Sequence, residues 1–118
     1  MNADDDIHAR LAELEARLAI IDLEGTYART WDTADAQGWA NCFTPDGAFV
    51  LLAVGARPEK RIAGHAALAA FCVSVNQVHT GMHLMHLPQL RIDGARATGR
   101  VHFEFKSVVR VDPKATTH

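Results

Sequence analysis

The pattern of apolar and polar positions predicts a long helix at the start of the chain. Apolar residues recur at steps of three and four from Ile7 to Ile21, after the acidic residues 4 to 6, which suit a helix N-terminus. A second, rotated apolar row runs on to Tyr27 and Trp31. We therefore expect one helix that continues to about Thr30 and is buried over a wide face.

The middle of the chain alternates turn signals with short apolar runs. Residues 36 to 43 are expected to form a short helix that is capped by Asp35, and TPDG at 44 to 47 is a turn sequence. The apolar run at 48 to 54 favours a strand, and GARPEK then favours an exposed loop. The alanine-rich segment that follows Gly64 predicts a third helix.

The last third of the chain has the alternation of antiparallel strands. MHLMHLPQLRI leads into Asp93-Gly94, a preferred two-residue hairpin turn, and ARATGRVHFEFKSVVRV returns from it. Helices followed by a hairpin predict an α+β fold, in which the helices pack on one side of an antiparallel sheet. We expect residues 1 to 118 to form a single domain.

The hairpin turn also predicts which residues share a face of the sheet. With Asp93 and Gly94 as the loop, one face carries His83, Met85, His102 and Glu104, and the other carries Leu84, Leu90, Ile92, Val101, Phe103 and Phe105. In one interpretation the polar face is simply solvated. In the other it is the concave, functional side, and a bulge would change the relation of the two histidines because each inserted residue reverses the alternation.

Composition and charge narrow the classes of partner. The 118 residues, of which 48% are hydrophobic and 22% charged, suit one soluble domain. Twelve basic against fourteen acidic residues leave no positive surplus for a nucleic acid or an anionic membrane. We expect a small apolar molecule or a protein as the partner.

Two features favour the cytoplasm. Cys42 and Cys72 form no paired-spacing motif and look like small buried hydrophobes of a reducing compartment. The acidic N-terminus does not have the pattern of a signal peptide, and no stretch approaches eighteen apolar residues.

The remaining motifs do not favour a metal or a cofactor. His79, His83 and His86 would align on a helix, but on the expected strand His83 and His86 point to opposite faces. The sequence has neither a phosphate-binding glycine loop nor a G-x-S-x-G motif.

The stretch YARTWD, residues 27 to 32, combines groups that could be structural or reactive. Tyr27 and Trp31 lie one helical turn apart, whereas Asp32 is rotated by about 140° from Tyr27. If the helix ends near Trp31, Asp32 can turn inward and accept a hydrogen bond from an imidazole. The alternatives are ordinary core packing for the rings and a solvated helix end for Asp32.

Three segments together resemble the SnoaL-like family of the nuclear transport factor 2-like superfamily. They are YARTWDTADAQGWANCFTPDGAF, Gly64 with HAALAAF, and MHLMHLPQLRIDGARATG, and the similarity runs from about Ile20 to Phe105. The resemblance implies a cone-shaped fold in which a curved antiparallel sheet wraps around the long N-terminal helix and encloses an apolar pocket. Such pockets serve cofactor-independent dehydratases, isomerases and polyketide cyclases, as well as members with no known chemistry.

The resemblance also implies roles for particular residues. Tyr27, Asp32 and His83 match positions that are catalytic in the branches similar to scytalone dehydratase and bile-acid dehydratase. His102 is the best match for a second histidine of those enzymes. We expect His83 to act as general base, Asp32 to orient an imidazole, Tyr27 to donate to a carbonyl oxygen and His102 to protonate a leaving group. An imidazole suits a base because its ordinary pKa is about 6.5. The expected apolar lining is Trp31, Phe49, Phe71 and Met85.

The chain departs from the family at its end. Related domains carry two more strands after the hairpin, whereas this sequence stops at DPKATTH. We expect either a truncation or a sheet completed by another subunit in a homodimer or homotrimer, with an open edge at residues 108 to 111. An alternative to an enzyme is a non-catalytic module similar to the small subunit of ring-hydroxylating dioxygenases.

Overall fold

The structure, a computed structural model, describes residues 2 to 109 and has an α+β architecture. Three helices and six strands follow one another within that range: α1 Ala3–Asp32, α2 Ala36–Ala40, β1 Ala48–Leu51, β2 Lys60–Ala63, α3 His65–Val78, β3 His79–Met85, β4 Gln89–Asp93, β5 Arg96–Arg100 and β6 Phe103–Val109. The predicted open edge at 108 to 111 lies partly outside the described residues.

The long N-terminal helix is confirmed, and it extends further than the sequence indicated. The side chain of Asn2 accepts a hydrogen bond of 2.9 Å from the Asp5 backbone N–H, so that residues 4 to 6 lie in the first turn. α1 ends at Asp32, with Thr33 as its C-cap. Ala34, whose φ is +58°, then turns the chain towards α2.

Burial of α1 over a wide face was a wrong expectation for its first half. Ile7, Leu11, Leu14 and Leu18 are 50–62% exposed, whereas Trp31 is buried. The elements that pack on α1 include α2, β3 and β4, and one contact from β4 is a hydrogen bond of 3.4 Å from the Arg17 guanidinium to the Leu90 carbonyl. Within residues 2 to 109, the helix is therefore covered only from about Ala16 onwards. Between those same limits, no helix is long and apolar enough to cross a membrane.

A short strand pair connects α2 with α3. Asp35 caps α2 through a hydrogen bond of 3.0 Å from the Gly38 N–H, as predicted. β1 is shorter than the predicted run, and it pairs antiparallel with β2, Phe49 facing Ile62. The sequence did not predict β2, because two of its four residues are basic and only Ile62 is buried. α3 forms where it was predicted and buries Leu68 and Cys72.

The hairpin that joins β4 and β5 has a different turn from the predicted one. Asp93 pairs with Arg96, so the two loop residues are Gly94 and Ala95. Gly94 has a φ of +58°, which suits the first loop position of a type II′ turn. Both loop positions therefore lie one residue later than expected.

A bulge separates this hairpin from the pairing of β3 with β6. Residues 86 to 88 lie opposite only residues 101 and 102, because Met85 pairs with Phe103 while Gln89 pairs with Arg100. The His86 N–H donates to the His102 carbonyl across the bulge at 3.0 Å. The extra residue reverses the alternation on one side of the break.

The predicted faces of β3 and β6 are corrected accordingly. His83 pairs with Phe105, and Leu84 pairs with the exposed Glu104, so His83 and Glu104 lie on opposite faces. The face that carries His83 and Met85 also carries Phe103 and Phe105. It is a mainly apolar face that turns towards α1.

The core of the domain is a cluster of aromatic rings. Trp39 is fully buried, and its ring centroid lies 4.8 Å from that of Trp31, 5.7 Å from that of Phe49 and 6.2 Å from that of Phe71. Leu68 and Cys72 of α3 belong to the same cluster. This cluster holds the end of α1 in place beneath β3.

Candidate active site

Asp32 and His83 form the central contact of the candidate site. The Asp32 carboxylate accepts two hydrogen bonds from His83, one from the ring Nδ1 at 2.7 Å and one from the backbone N–H at 2.9 Å. An ionised carboxylate can only accept, so the ring nitrogen that faces it carries the proton. When the imidazole is neutral, Nε2 then holds the lone pair that can take a proton from a ligand.

The end of α1 and the strand β3 bring these side chains together. The last residue of the helix is Asp32, and Tyr27 and Asp32 both contact His83. Tyr27 and Asp32 point about 140° apart around the helix, and the imidazole contacts both of them. The helix thus ends near Trp31, as expected, and Asp32 turns inward from its last position.

Aromatic rings surround the imidazole. The ring centroid of His83 lies 4.6 Å from that of Phe105, 5.7 Å from Phe103, 5.9 Å from Tyr27 and 6.3 Å from Trp31. The side chains of His83 and Asp32 are only 9% and 18% exposed. Because little water reaches the pair, its hydrogen bonds act in a medium of low polarity.

Tyr27 is held as a protonated hydrogen-bond donor. Burial raises the pKa of Tyr27 to about 12, and the neighbouring cysteines add to this rise. The Trp39 indole N–H opposes the shift, although its nitrogen makes no hydrogen bond of ordinary geometry within residues 2 to 109. At neutral pH the phenol is therefore able to donate to an oxygen of a ligand.

A cavity adjoins these side chains. Its volume is about 300 Å³, at the lower end of the range for small-molecule sites. Its wall includes Ile20, Tyr27, Phe43, His83, Met85 and Phe103. Asp32 lies behind His83 and is not on the wall. An apolar wall with a phenol and an imidazole suits a small apolar compound with one or two polar groups.

Besides Asp32, four further predicted site residues are not on the wall of this cavity. Trp31, Phe49 and Phe71 pack in the aromatic core, where each contacts another large ring. His102 is exposed, and the bulge places its backbone carbonyl opposite His86. Of the lining that we expected, the cavity includes only Met85.

Glu24 is on the cavity wall, and sequence reasoning missed it. Its Oε1 atom is buried and has no hydrogen-bond partner within residues 2 to 109, although the side chain as a whole is only partly buried. Burial raises the pKa of Glu24. The signal was present in the sequence, because Glu24 lies between Ile20 and Tyr27 on the same stripe of α1.

The histidines of the β3 region do not form a cluster. His83 lies on the inward face of β3, and His86 is exposed beyond the end of the strand. In the part of the chain that the structure describes, no three His, Cys, Asp or Glu side chains come close enough together to hold a metal ion.

Comparison with known proteins identifies the family. The sequence profile of the SnoaL-like domain matches residues 12–118, which is most of the chain. The chain therefore belongs to the SnoaL-like family, within the nuclear transport factor 2-like superfamily. No protein of curated function matches it.

Solved structures agree with this assignment. A protein of unknown function from Mycobacterium tuberculosis, Rv3472, solved as a variant with an aspartate replaced by asparagine, is 32% identical, with a TM-score of 0.68 over 78% of this chain and 58% of that one. The chain thus spans little more than half the length of that protein.

Two further structures share the fold. An NTF2-like protein with a cystatin-like fold from Novosphingobium aromaticivorans is 24% identical, with a TM-score of 0.74 over 91% of this chain and 74% of that one. A structure from Catenulispora acidiphila is 15% identical, with a TM-score of 0.63 over 88% and 77%.

Proposed function

We propose that the chain is a cofactor-independent lyase or isomerase that performs general acid–base chemistry on a small apolar carbonyl compound. The observation that carries this proposal is the hydrogen bond of 2.7 Å between Asp32 and His83 beside the cavity. A carboxylate that holds one nitrogen of an imidazole directs the other nitrogen to act as a base. The family includes members with this chemistry, which supports the same conclusion.

The chemistry assigns a role to each side chain. His83 Nε2 takes the proton from the carbon beside the carbonyl, and the electron pair of the broken C–H bond moves towards the carbonyl oxygen. Tyr27 donates a hydrogen bond to that oxygen as its negative charge develops. Asp32 stabilises the imidazolium that forms. The apolar wall excludes water and so strengthens these polar contacts.

A panel of cyclic hydroxyketones tests the proposal. Elimination or isomerisation yields conjugated enones that are followed by ultraviolet absorbance, and ligand binding is followed by the fluorescence of Trp31 and Trp39. His83→Ala is expected to lower kcat/KM by about 10²- to 10⁴-fold, because the base is removed.

His86→Ala is the matched control, since His86 is exposed and lies three residues further on. Unchanged turnover in the His83 variant would show that this imidazole is not the base. Binding without turnover of any compound by the wild-type protein would favour the non-catalytic ligand-binding module instead.

A further inference from the structure

We propose that Glu24 is the acid of this site, and that it protonates the hydroxyl group that leaves from a β-hydroxy ketone. This inference rests on the proposed function and makes it more specific, because it names the group that supplies the proton to the leaving oxygen. The observations that carry it are the position of Glu24 on the cavity wall and the unpaired buried oxygen of its carboxyl group.

The roles assigned so far leave no described group of residues 2 to 109 to protonate the leaving oxygen. His102, which we expected in that role, is exposed and is not on the cavity wall. Tyr27 is committed to the carbonyl oxygen, and Asp32 is committed to His83. Among the described residues that line the cavity, Glu24 is the remaining carboxyl group.

The position of Glu24 on α1 fits the geometry of a dehydration. Glu24 precedes Tyr27 by three residues, so the two lie on neighbouring turns of the same face, about 4.5 Å apart along the axis. The α-carbon of a bound ketone would lie near His83, its carbonyl oxygen near Tyr27, and its β-hydroxyl near Glu24. Each of the three groups of the ligand then has one group of the wall as its partner.

The surroundings of Glu24 favour its protonated form. Ile20, Leu23 and Val101 line the cavity beside it, and burial raises its pKa. The other titratable groups on the wall are Tyr27, Cys42 and His83. Arg100 lines an adjoining cavity of about 280 Å³ that Glu24 also borders, but within residues 2 to 109 no ion pair joins the two.

The reaction balances without another reactant. His83 removes the α-proton, the electron pair of that C–H bond forms the C=C bond, and the β-carbon–oxygen bond breaks with its pair going to oxygen. The Glu24 carboxyl proton joins that oxygen, and water leaves. The imidazolium then loses its proton to solvent and the Glu24 carboxylate takes one up, which restores both groups.

Two substrates that differ in the leaving group test the role of Glu24. 3-Hydroxy-1-indanone must lose hydroxide and needs an acid, whereas 3-acetoxy-1-indanone loses acetate, which leaves without a proton. Glu24→Gln is expected to lower kcat/KM for the hydroxy ketone by about 10²-fold or more and to change that for the acetoxy ketone by less than about threefold. In the wild-type protein, activity on the hydroxy ketone alone should fall as pH rises through the pKa of Glu24.

The controls separate this inference from the proposed function. The His83→Ala variant should lose activity on both compounds. Glu15 is an exposed glutamate on the same helix as Glu24, and the Glu15→Gln variant should keep activity on both. Full hydroxy-ketone activity in the Glu24 variant would overturn the inference and leave the base in place. If the wild-type protein catalyses elimination from neither compound, both the proposed function and the proton transfer from Glu24 are contradicted.

A binding measurement does not depend on turnover. The wild-type protein should bind 3-hydroxy-1-indanone several-fold more tightly than 1-indanone, because the hydroxyl pairs with the buried Glu24 oxygen. Glu24→Leu should remove this preference and keep the affinity for 1-indanone. An unchanged preference in the leucine variant would show that Glu24 does not hold the hydroxyl.

Discussion

The Asp32 carboxylate holds His83 at two points, the ring Nδ1 at 2.7 Å and the backbone N–H at 2.9 Å. The second bond ties the main chain of β3 to the end of α1, so the position of the strand and the tautomer of the ring depend on the same side chain. An imidazole that is held in this way has one defined nitrogen available to a ligand.

Replacement of Asp32 by Asn should separate chemistry from folding. The amide keeps the shape of the side chain, but it has no charge to stabilise an imidazolium and only one acceptor oxygen for two donors. We expect Asp32→Asn to lower kcat by about 10³-fold, with ligand affinity nearly unchanged.

Asp35→Asn is the matched control for this measurement. It removes the same charge three residues away, and asparagine is as good a helix cap as aspartate. A comparable loss of activity in both variants would indicate a general electrostatic effect rather than a specific bond to His83.

Tyr27 can be titrated directly, because it is the one tyrosine of the 118-residue sequence. Phenolate absorbance near 295 nm should give a midpoint of about 12 for the folded protein and the ordinary value of 10.0 after unfolding. The pKa of Tyr27 is higher in the folded state than in the unfolded state. The stability that the protonated phenol contributes is therefore complete below pH 10 and is lost between pH 10 and 12. A midpoint near 10 in the folded protein would contradict the burial of the phenol.

Glu24 should make the protein less stable at neutral pH. Its pKa in the folded state is raised, so its contribution to stability is fully present below the ordinary pKa of a glutamate and is lost as pH rises through the folded pKa. Glu24→Leu should raise the free energy of unfolding by about 1 kcal/mol at neutral pH, because it removes an unpaired buried oxygen.

Urea unfolding at several pH values measures this difference. The gain in the leucine variant should shrink as the solution is acidified towards the ordinary pKa of a glutamate, while Glu15→Leu should show no such trend. A gain that grows on acidification would mean that the carboxylate form of Glu24 is the one that the fold favours.

Alanine substitutions at two glycines should change the free energy of unfolding in opposite directions. A Cβ at Gly81 would overlap the Lys106 backbone oxygen and lie 2.8 Å from the Phe105 ring, whereas one at Gly25 would have no described heavy atom within 4 Å. Gly81→Ala should lower the free energy of unfolding by about 2 kcal/mol, because β3 must move away from β6. Gly25→Ala should raise it by roughly 0.5–1 kcal/mol, since alanine favours the helix. Thermal or urea unfolding of both variants measures the two signs, and stabilisation by alanine at position 81 would contradict this pairing of the strands.

Local signals predicted much of the fold. The period of apolar residues predicted α1, Asp35 predicted the start of α2, and the alternation after Met82 predicted antiparallel strands. β2 was missed because its sequence is short and mostly polar, and a strand of that kind is defined by its pairing with β1 rather than by its own residues.

The candidate site was predicted only in part, because the bulge at residues 86 to 88 changes which residues share a face of the strands. Resemblance to the family pointed to Tyr27, Asp32 and His83, which the structure brings together, while their catalytic roles remain predictions. The faces of β3 and β6 were wrong, because no local pattern indicated that residues 86 to 88 would oppose only two residues. Glu24 was overlooked because a single acid in a helical stripe usually lies in solvent.

The three-against-two spacing at residues 86 to 88 has a consequence for comparing relatives of this domain. Consider a chain with the same tyrosine, aspartate and histidine but one residue fewer between β3 and β4. Without the bulge, the alternation of faces would be reversed in one of the two strand pairs, so either the imidazole or the apolar side of the hairpin would face outwards. The length of this connection, measured from histidine to hairpin, is therefore a better criterion than the three residues themselves for deciding which relatives could share the chemistry.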